Sequence, residues 1–449
     1  MIRCLFFATI VLLSAALALP GQGINENSNL PENDPKGNID MLGYVRTSFY
    51  GGSRKYDYSS VFAEGGLKIT YAPANTLMKA DVRLRSGTIF NEEFLKGEIK
   101  ELYAGLRSKK VDVLIGDQIV SWGRTDGFNP TNNITPVDYF FLSAEPDDQN
   151  LPNILGRIKF RISEQAELDV IAIPEFKPSV YRFDLFDLGG NVSFSEPSWP
   201  EKKFRNGTLA ARLNMELPKA GFSFSWFRGY DPLPGFNIQS IQWPANYPVI
   251  TYVLTPYLKN GFGADFAIPA GSWLAKGEAS FNLIRHGGSQ PALPKSNLQY
   301  VLGIEKTFIG FHTIVQYIGQ AVSGYSALQE PVLTNPSDPM ALLQYSNDKV
   351  YFETETFNRK IFHQQEKMNH AVSCSVTRQF AYDTWKVDGM AYYNFTSEEF
   401  LMRFACGWKI SDALSANSGF YIMEGPDRSL FDYAGAVMNG AFLELKVTF

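Results

Sequence analysis

Apolar and polar residues alternate with a period of two along most of this chain, and no apolar run in its body reaches the length of a spanning helix. In the last ten residues Ala441, Leu443, Leu445, Val447 and Phe449 share one side of a strand, and Glu444, Lys446 and Thr448 share the other. The pattern recurs in Phe400, Met402, Phe404, Cys406, Trp408 and Ile410 against Leu401, Arg403, Ala405, Gly407 and Lys409. It recurs again in Ile154, Gly156, Ile158, Phe160 and Ile162 against Leu155, Arg157, Lys159 and Arg161. Strands with one greasy and one wet face suit a barrel with lipid outside and water inside. Three pairs of aromatics stand eight positions apart on the apolar face: Trp273 and Phe281, Trp385 and Tyr393, Phe400 and Trp408. At about 3.3 Å per residue and about 40° tilt, that spacing rises roughly 20 Å, near the height of the apolar band between two aromatic girdles.

The pattern predicts strands at 40–49, 59–71, 77–87, 97–107, 110–117, 153–163, 166–174, 205–217, 219–228, 257–268, 272–285, 297–308, 310–320, 368–380, 383–395, 398–410, 413–424 and 436–449. Every second connection between them is a tight turn, such as Ala72-Pro73-Ala74-Asn75, Pro218-Lys219 or Ser411-Asp412. The longer segments fall in between, at 118–152, 175–204, 229–256 and 321–367, with shorter ones at 50–58, 88–96, 286–296 and 425–435. Short periplasmic turns alternating with longer external loops are the habit of outer-membrane barrels. The expected fold class is therefore all-β, a transmembrane antiparallel up-and-down β-barrel of eighteen strands, or sixteen if one hairpin is miscounted. A soluble multi-domain β protein has no reason to alternate its loop lengths.

Residues 1–18 read as a secretory signal peptide, with Arg3, an apolar stretch from Cys4 to Leu17, and the small-x-small site Ala16-Leu17-Ala18. Cys4 precedes the apolar stretch, so no lipid anchor is implied. Residues 19–38, rich in Gly, Asn, Pro and Asp, read as a flexible periplasmic leader too short for a plug domain. The expected location is the bacterial outer membrane, with membrane lipid as one partner. The strand ending in Phe449 would serve as the recognition end for the barrel-assembly machinery. Outward apolar residues are equally compatible with a homo-oligomer.

Aromatics make up 14% of the chain and charged residues only 19%, as expected of strands with a lipid face. The net charge of −5 argues against a nucleic-acid partner. Beyond the signal peptide only Cys374 and Cys406 remain, predicted two strands apart, about 9–10 Å and beyond disulfide reach. His286, His312, His363 and His370 show no metal-ligand spacing such as H-E-x-x-H. There is no G-x-S-x-G elbow and no phosphate-binding glycine loop. No catalytic residue, metal or cofactor is expected. A Ser-His hydrolase on the barrel exterior leaves no linear motif and would rest on His312 or His370.

The most distinctive segment runs from Gly116-Asp117-Gln118 through Trp122-Gly123-Arg124-Thr125-Asp126-Gly127-Phe128-Asn129-Pro130 to Asp138. It resembles the G-x-Q-x-x-x-W-G … N-P-x-D stretch of a family of porin-like outer-membrane barrels of unassigned function, with Asn129-Pro130 supplying the N-P pair. The resemblance implies a porin-like barrel and says nothing of a substrate.

The residues themselves suggest that the segment at about 118–152 folds inward to narrow the lumen, with Gly116, Gly123 and Gly127 allowing sharp bends. It carries Asp117, Trp122, Asp126, Asp138, Glu145, Asp147 and Asp148. A basic wall of Lys68, Arg83, Arg85, Arg157, Lys159 and Arg161, joined by Arg46, Arg107 and Arg212, is expected to face it. Acidic loop against basic wall would set a transverse field that attracts anions. The other outcome is that these charges pair among themselves and fill the lumen. The aromatic connections Phe176 to Phe186 and Trp243 to Pro248 could stack a sugar or an apolar solute, or pack on one another at the mouth. Three functions stand open: passive diffusion of small hydrophilic solutes with some preference for anions, dedicated transport of an oligosaccharide or an aromatic or lipidic ligand, and a closed adhesion barrel.

Overall fold

The computed structural model describes residues 38–189, 191–244 and 247–449, so the signal-peptide and leader readings lie outside the described residues. The strands in chain order are β1 (Ile39–Gly51), β2 (Tyr58–Tyr71), β3 (Thr76–Ile89), β4 (Glu92–Arg107), β5 (Val111–Gln118), β6 (Asn153–Ser163), β7 (Ala166–Ile173), β8 (Val192–Phe194), β9 (Thr208–Leu217), β10 (Ala220–Tyr230), β11 (Gly235–Gln242), β12 (Val249–Thr255), β13 (Leu258–Ala270), β14 (Trp273–Ile284), β15 (Asn297–Phe308), β16 (Phe311–Val322), β17 (Met368–Phe380), β18 (Trp385–Asn394), β19 (Glu399–Lys409), β20 (Leu414–Glu424) and β21 (Gly440–Thr448). Among the described residues two α-helices, α1 (Pro339–Ile361) and α2 (Leu430–Met438), lie in external connections.

Eighteen of these strands form one antiparallel sheet, each paired to its neighbour in the chain, and β1 pairs with β21 to close the ring. That seam runs from Tyr44 opposite Thr448 to Gly51 opposite Ala441. Beyond its end Gly43 and Phe449 exchange both backbone hydrogen bonds at 2.8 Å. A Cβ on Gly43 would lie 2.4 Å from the Phe449 ring, so the last aromatic needs a glycine beneath it. The wall alternates as its sequence dictates: Ile115 is 68% exposed on the outer face and Leu114 is 3% exposed on the inner one. The aromatic spacing is also a lateral pairing, because Trp385 sits opposite Trp408 and Tyr393 opposite Phe400. The two indoles stack with centroids 5.2 Å apart. Cys374 on β17 and Cys406 on β19 are separated by β18 and unbridged.

Four expectations need correction. The span 436–449 is not all strand: Ser429 caps α2 by accepting from Asp432 N, and β21 begins only at Gly440. Residues 321–367 are not a plain loop, since Asp338 accepts from Met340 N and Pro339 opens the 23-residue α1. Residues 88–96 are mostly strand, because β3 and β4 run on to a two-residue turn at Phe90-Asn91, both with positive φ. In 229–256, β11 and β12 pair antiparallel and β12 adds β8 in parallel, a small sheet of the loops' own.

These external elements share a hydrophobic core. Phe140, Phe183, Phe186, Phe236, Tyr257, Phe362, Val437 and Met438 are all buried in it, and Phe357 of α1 packs against it. The aromatic connection around Phe183 therefore packs at the mouth: Phe183 lies 4.3 Å from Phe236 and 5.7 Å from Phe186, ring to ring. Trp243 Nε1 donates to Asn347 Oδ1 of α1 at 3.1 Å.

Candidate functional site

The segment between β5 and β6, residues 119–152, is bonded to the inner wall at points around its circumference. Val120 and Trp122 join Leu155, Ile171, Ala210 and Phe227 in a buried cluster on β6, β7, β9 and β10. Trp122 Nε1 donates to Asp169 at 3.2 Å. Arg124 reaches Asp265 on β13 at 2.7 Å, and Asn214 and Glu216 on β9. Phe128 stacks on Tyr392 of β18 with centroids 5.1 Å apart. Arg403 of β19 donates to Ala144 O at 2.8 Å.

Glu278 on β14 is the densest of these anchors. Its side chain is 3% exposed and accepts from Arg124 N, Thr125 N, Thr125 Oγ1, Thr131 N and Thr131 Oγ1, all within 3.3 Å. Gly123 precedes these donors with φ +110°, and a Cβ there would come within 2.5 Å of Glu278 Oε2. Only glycine fits both the backbone and the space.

On the opposite side Asp148 is the junction. It accepts from Arg83 at 2.7 Å and pairs with Arg46 at 2.7 Å. Burial alone would raise this carboxyl, but the two guanidiniums override it and hold it well below the usual carboxylate range. Lys100 closes the same end. It falls at a register shift, since Asp81 faces Glu101 while Val82 faces Ile99. The inserted residue is buried, donating to Asp148 O at 2.7 Å and to Asn150 O.

The cations predicted as a wall mostly meet carboxylates on neighbouring strands. Arg46 and Arg85 flank Glu64 in the cross-strand register and both bond it. Arg83 bonds Asp81 at 3.0 Å, Arg157 bonds Asp169 at 2.7 Å, and Lys159 lies 3.3 Å from Glu167. Arg161 bonds Asp112 at 3.0 Å, Arg212 bonds Asp265 at 2.9 Å, and Lys68 sits opposite Asp81. Arg107 too has an interaction partner. The wall is a checkerboard, which corrects the picture of a basic surface facing an acidic loop. Asp126 pairs with Lys276 at 2.8 Å. Asp138 accepts from Phe140 N of its own segment, and burial pushes its carboxyl up. Asp117 lies between Leu102 and Ile154 in register, both exposed on the outer face, so it belongs to the outside of the rim.

Above the crossing segment lies a vestibule of about 870 Å³ that sequence reasoning did not locate. Phe128, Tyr139, Tyr181, Phe183, Tyr257 and Tyr392 give it aromatic walls, and Asn and Gln side chains of the barrel give it polar ones. Its charges are matched: Lys259 pairs with Asp231 at 2.5 Å and donates to Asn133, while Arg403 lies 3.2 Å from Asp388. His363 also lines it, and burial lowers its imidazole pKa. His370 Nδ1 is hydrogen-bonded to the Tyr317 hydroxyl, and His312 lies 3.3 Å from Glu305. Among the described residues no cluster of three or more His, Cys, Asp or Glu could hold a metal ion.

A closed eighteen-strand antiparallel ring with an apolar outer face and a polar interior is an outer-membrane β-barrel of the porin type. Solved structures match it along nearly its whole length. Acinetobacter baumannii OccAB4 is 9% identical with a TM-score of 0.53, covering 93% of this chain and all of that one, at 100%. Pseudomonas aeruginosa OccK3 (OpdO) is 10% identical with a TM-score of 0.52, covering 92% and 95%. Pseudomonas aeruginosa OccK5 (OpdH) is 9% identical with a TM-score of 0.51, covering 92% and 97%. At such identities the likeness concerns the fold. No family pattern and no curated protein matches the sequence.

Proposed function

We propose that this protein is a passive outer-membrane channel for small hydrophilic solutes, narrowed by residues 119–152. One observation carries the reading: that segment is fixed to inward-facing side chains on β1, β3, β4, β9, β13, β14, β18 and β19, so solute must pass beside it. Trp122, Asp126 and Asp138 belong to the narrowing segment. Lys68, Arg83, Arg85, Arg157, Lys159 and Arg161 belong to the wall beside it. Because these cations are matched by carboxylates, selection falls to shape and hydrogen bonding, and the attraction of anions is weak. Recordings in planar bilayers test this. Steady ohmic current with a reversal potential near zero in a KCl gradient is expected. No current, before or after removal of residues 124–147, would overturn the channel.

A second reading, dedicated transport of a ligand held above the narrowing, is favoured by the aromatic and amide lining of the vestibule. Current block that saturates with one solute class separates it from simple diffusion. Insertion into the membrane is assigned to the assembly machinery acting on the strand that ends in Phe449.

A further inference from the structure

The lumen wall has two arcs of different chemistry. From β1 round to β13 the inward positions carry the ion-pair checkerboard, whereas β14 to β18 present amides near the mouth. Asn282, Asn297, Gln299, Gln320, Asn369 and Asn394 lie on five consecutive strands, and the register joins them into a band. Gln299 is opposite Gln320, and Gln320 is opposite Asn369. Asn282 Nδ2 donates to Asn297 Oδ1 at 3.1 Å, and Asn394 Nδ2 donates to Asn369 Oδ1 at 3.2 Å.

The band does not use all of its hydrogen-bonding capacity. Asn369 is only 5% exposed, yet among the described residues its Nδ2 has no hydrogen-bond partner. Asn132 Oδ1, on the crossing segment, and His363 Nδ1, after α1, are also without hydrogen-bond partners among the described residues. All three residues line the vestibule. A buried polar atom left unpaired is costly and marks a place where another molecule completes the bonding. Here that molecule must both donate and accept. It meets no unmatched charge, because Lys259 and Arg403 already have carboxylate partners. It also meets flat apolar surface, in the stacked Phe128 and Tyr392 and in Tyr139 and Tyr181, whose rings are 4.5 Å apart.

We propose that the amide band and the facing aromatics form a subsite for a neutral polyhydroxylated ring, a sugar unit of a short saccharide. Hydroxyls donate to Asn132 Oδ1 and accept from Asn369 Nδ2, while the C–H face of the ring lies on an aromatic side chain. A carboxylate solute finds no unmatched cation among the described residues that line the vestibule. A purely aromatic solute leaves the Asn369 donor unpaired. This assignment deepens the channel reading and rests on it for access to the cavity.

The test uses maltotriose as probe, with gluconate and benzyl alcohol as charged and apolar comparators. Maltotriose should interrupt single-channel current with a saturating dose dependence, and Asn369→Leu should raise its half-blocking concentration roughly tenfold. Heat-modifiable electrophoretic mobility checks that the variant has folded. Asn369→Thr replaces it if leucine prevents insertion, with the same direction expected. Block by gluconate or benzyl alcohol without block by maltotriose would overturn the assignment. So would equal half-blocking concentrations in the wild type and the variant. If neither the wild type nor the form lacking residues 124–147 carries current, the channel reading falls separately. Calorimetric titration of maltotriose into the detergent-solubilised protein then decides the subsite: saturable heat weakened in the variant supports it, and no heat overturns it.

Discussion

Replacing Glu278 with alanine removes the acceptor that holds residues 124–131 against the wall. Five donors converge on its two oxygens, three of them backbone N–H groups. A hydrogen bond to an ionised acceptor contributes about 1.5–3 kcal/mol. The losses do not add, because the donors share one carboxylate. Thr125 Oγ1 also has other acceptors, Phe128 O at 2.7 Å and Asn129 Oδ1 at 2.9 Å. Water entering the space left behind compensates part of the remainder. A net cost of about 4 kcal/mol follows, which raises the population of detached segment roughly a thousandfold. The damage stays local, because Trp122 remains in its apolar cluster and Asp148 keeps Arg46 and Arg83. Single-channel recordings should then show added open-state noise and higher conductance levels in Glu278→Ala, with heat-modifiable mobility of the barrel unchanged. Glu278→Gln, which keeps one oxygen acceptor, should fall between the two. Superimposable conductance histograms for wild type and Glu278→Ala would refute the reasoning, since the segment would then be held by something other than this carboxylate.

Three further outcomes follow from the same geometry. Gly123→Ala combines a left-handed backbone with a clash against Glu278, so its recordings should resemble those of Glu278→Ala, and a wild-type record would count against the close approach. Asp148 has a depressed pKa when folded, so the stability it contributes is present above the ordinary carboxylate range and is lost only as pH falls below it; Asp148→Asn should therefore differ from wild type in open-state noise as much at pH 5 as at pH 7, and a difference that vanished at pH 5 would contradict the clamp. Arg157→Gln leaves Asp169 without its guanidinium and with only the Trp122 indole among its described partners, which should cost roughly 3–5 kcal/mol and shift the reversal potential toward cation preference; a shift the other way, or none, would argue against matched wall charges.

The eighteen strands were legible because each carries its own evidence. Alternation is local, and a run such as Phe400 to Lys409 announces both of its faces without reference to any neighbour. The same local alternation hides the helices. Asp338-Pro339 and Ser429 with Asp432 are helix-start signals, but they lie between strands, and the alternation that predicts a strand over 436–449 runs into the end of α2. The site was legible only in part. That the segment after β5 holds Trp122, Arg124 and Asp148 could be read along the chain. What Arg46, Arg85 or Arg157 meets could not, since Glu64 and Asp169 become their neighbours only through register. The interleaved acids stood in the sequence all along, one strand away. The amide band is hidden for the same reason: one Asn or Gln on a strand makes no pattern, and only five strands side by side make it a surface.

The seam between β1 and β21 has a bearing on how such a molecule comes together. Tying Tyr44 to Thr448 closes a loop of almost the whole chain, yet closure entropy grows only with the logarithm of loop length. Relative to the β20–β21 hairpin the extra cost is about 3 kcal/mol, spread over a full strand's length of new backbone bonds. Completion of the ring is therefore thermodynamically undemanding. The hazard is one of timing: until the join is made, both bordering strands offer unsatisfied donors and acceptors to any other strand nearby. A factor that shields those two edges until the chain meets itself would govern yield without altering the stability of the finished barrel.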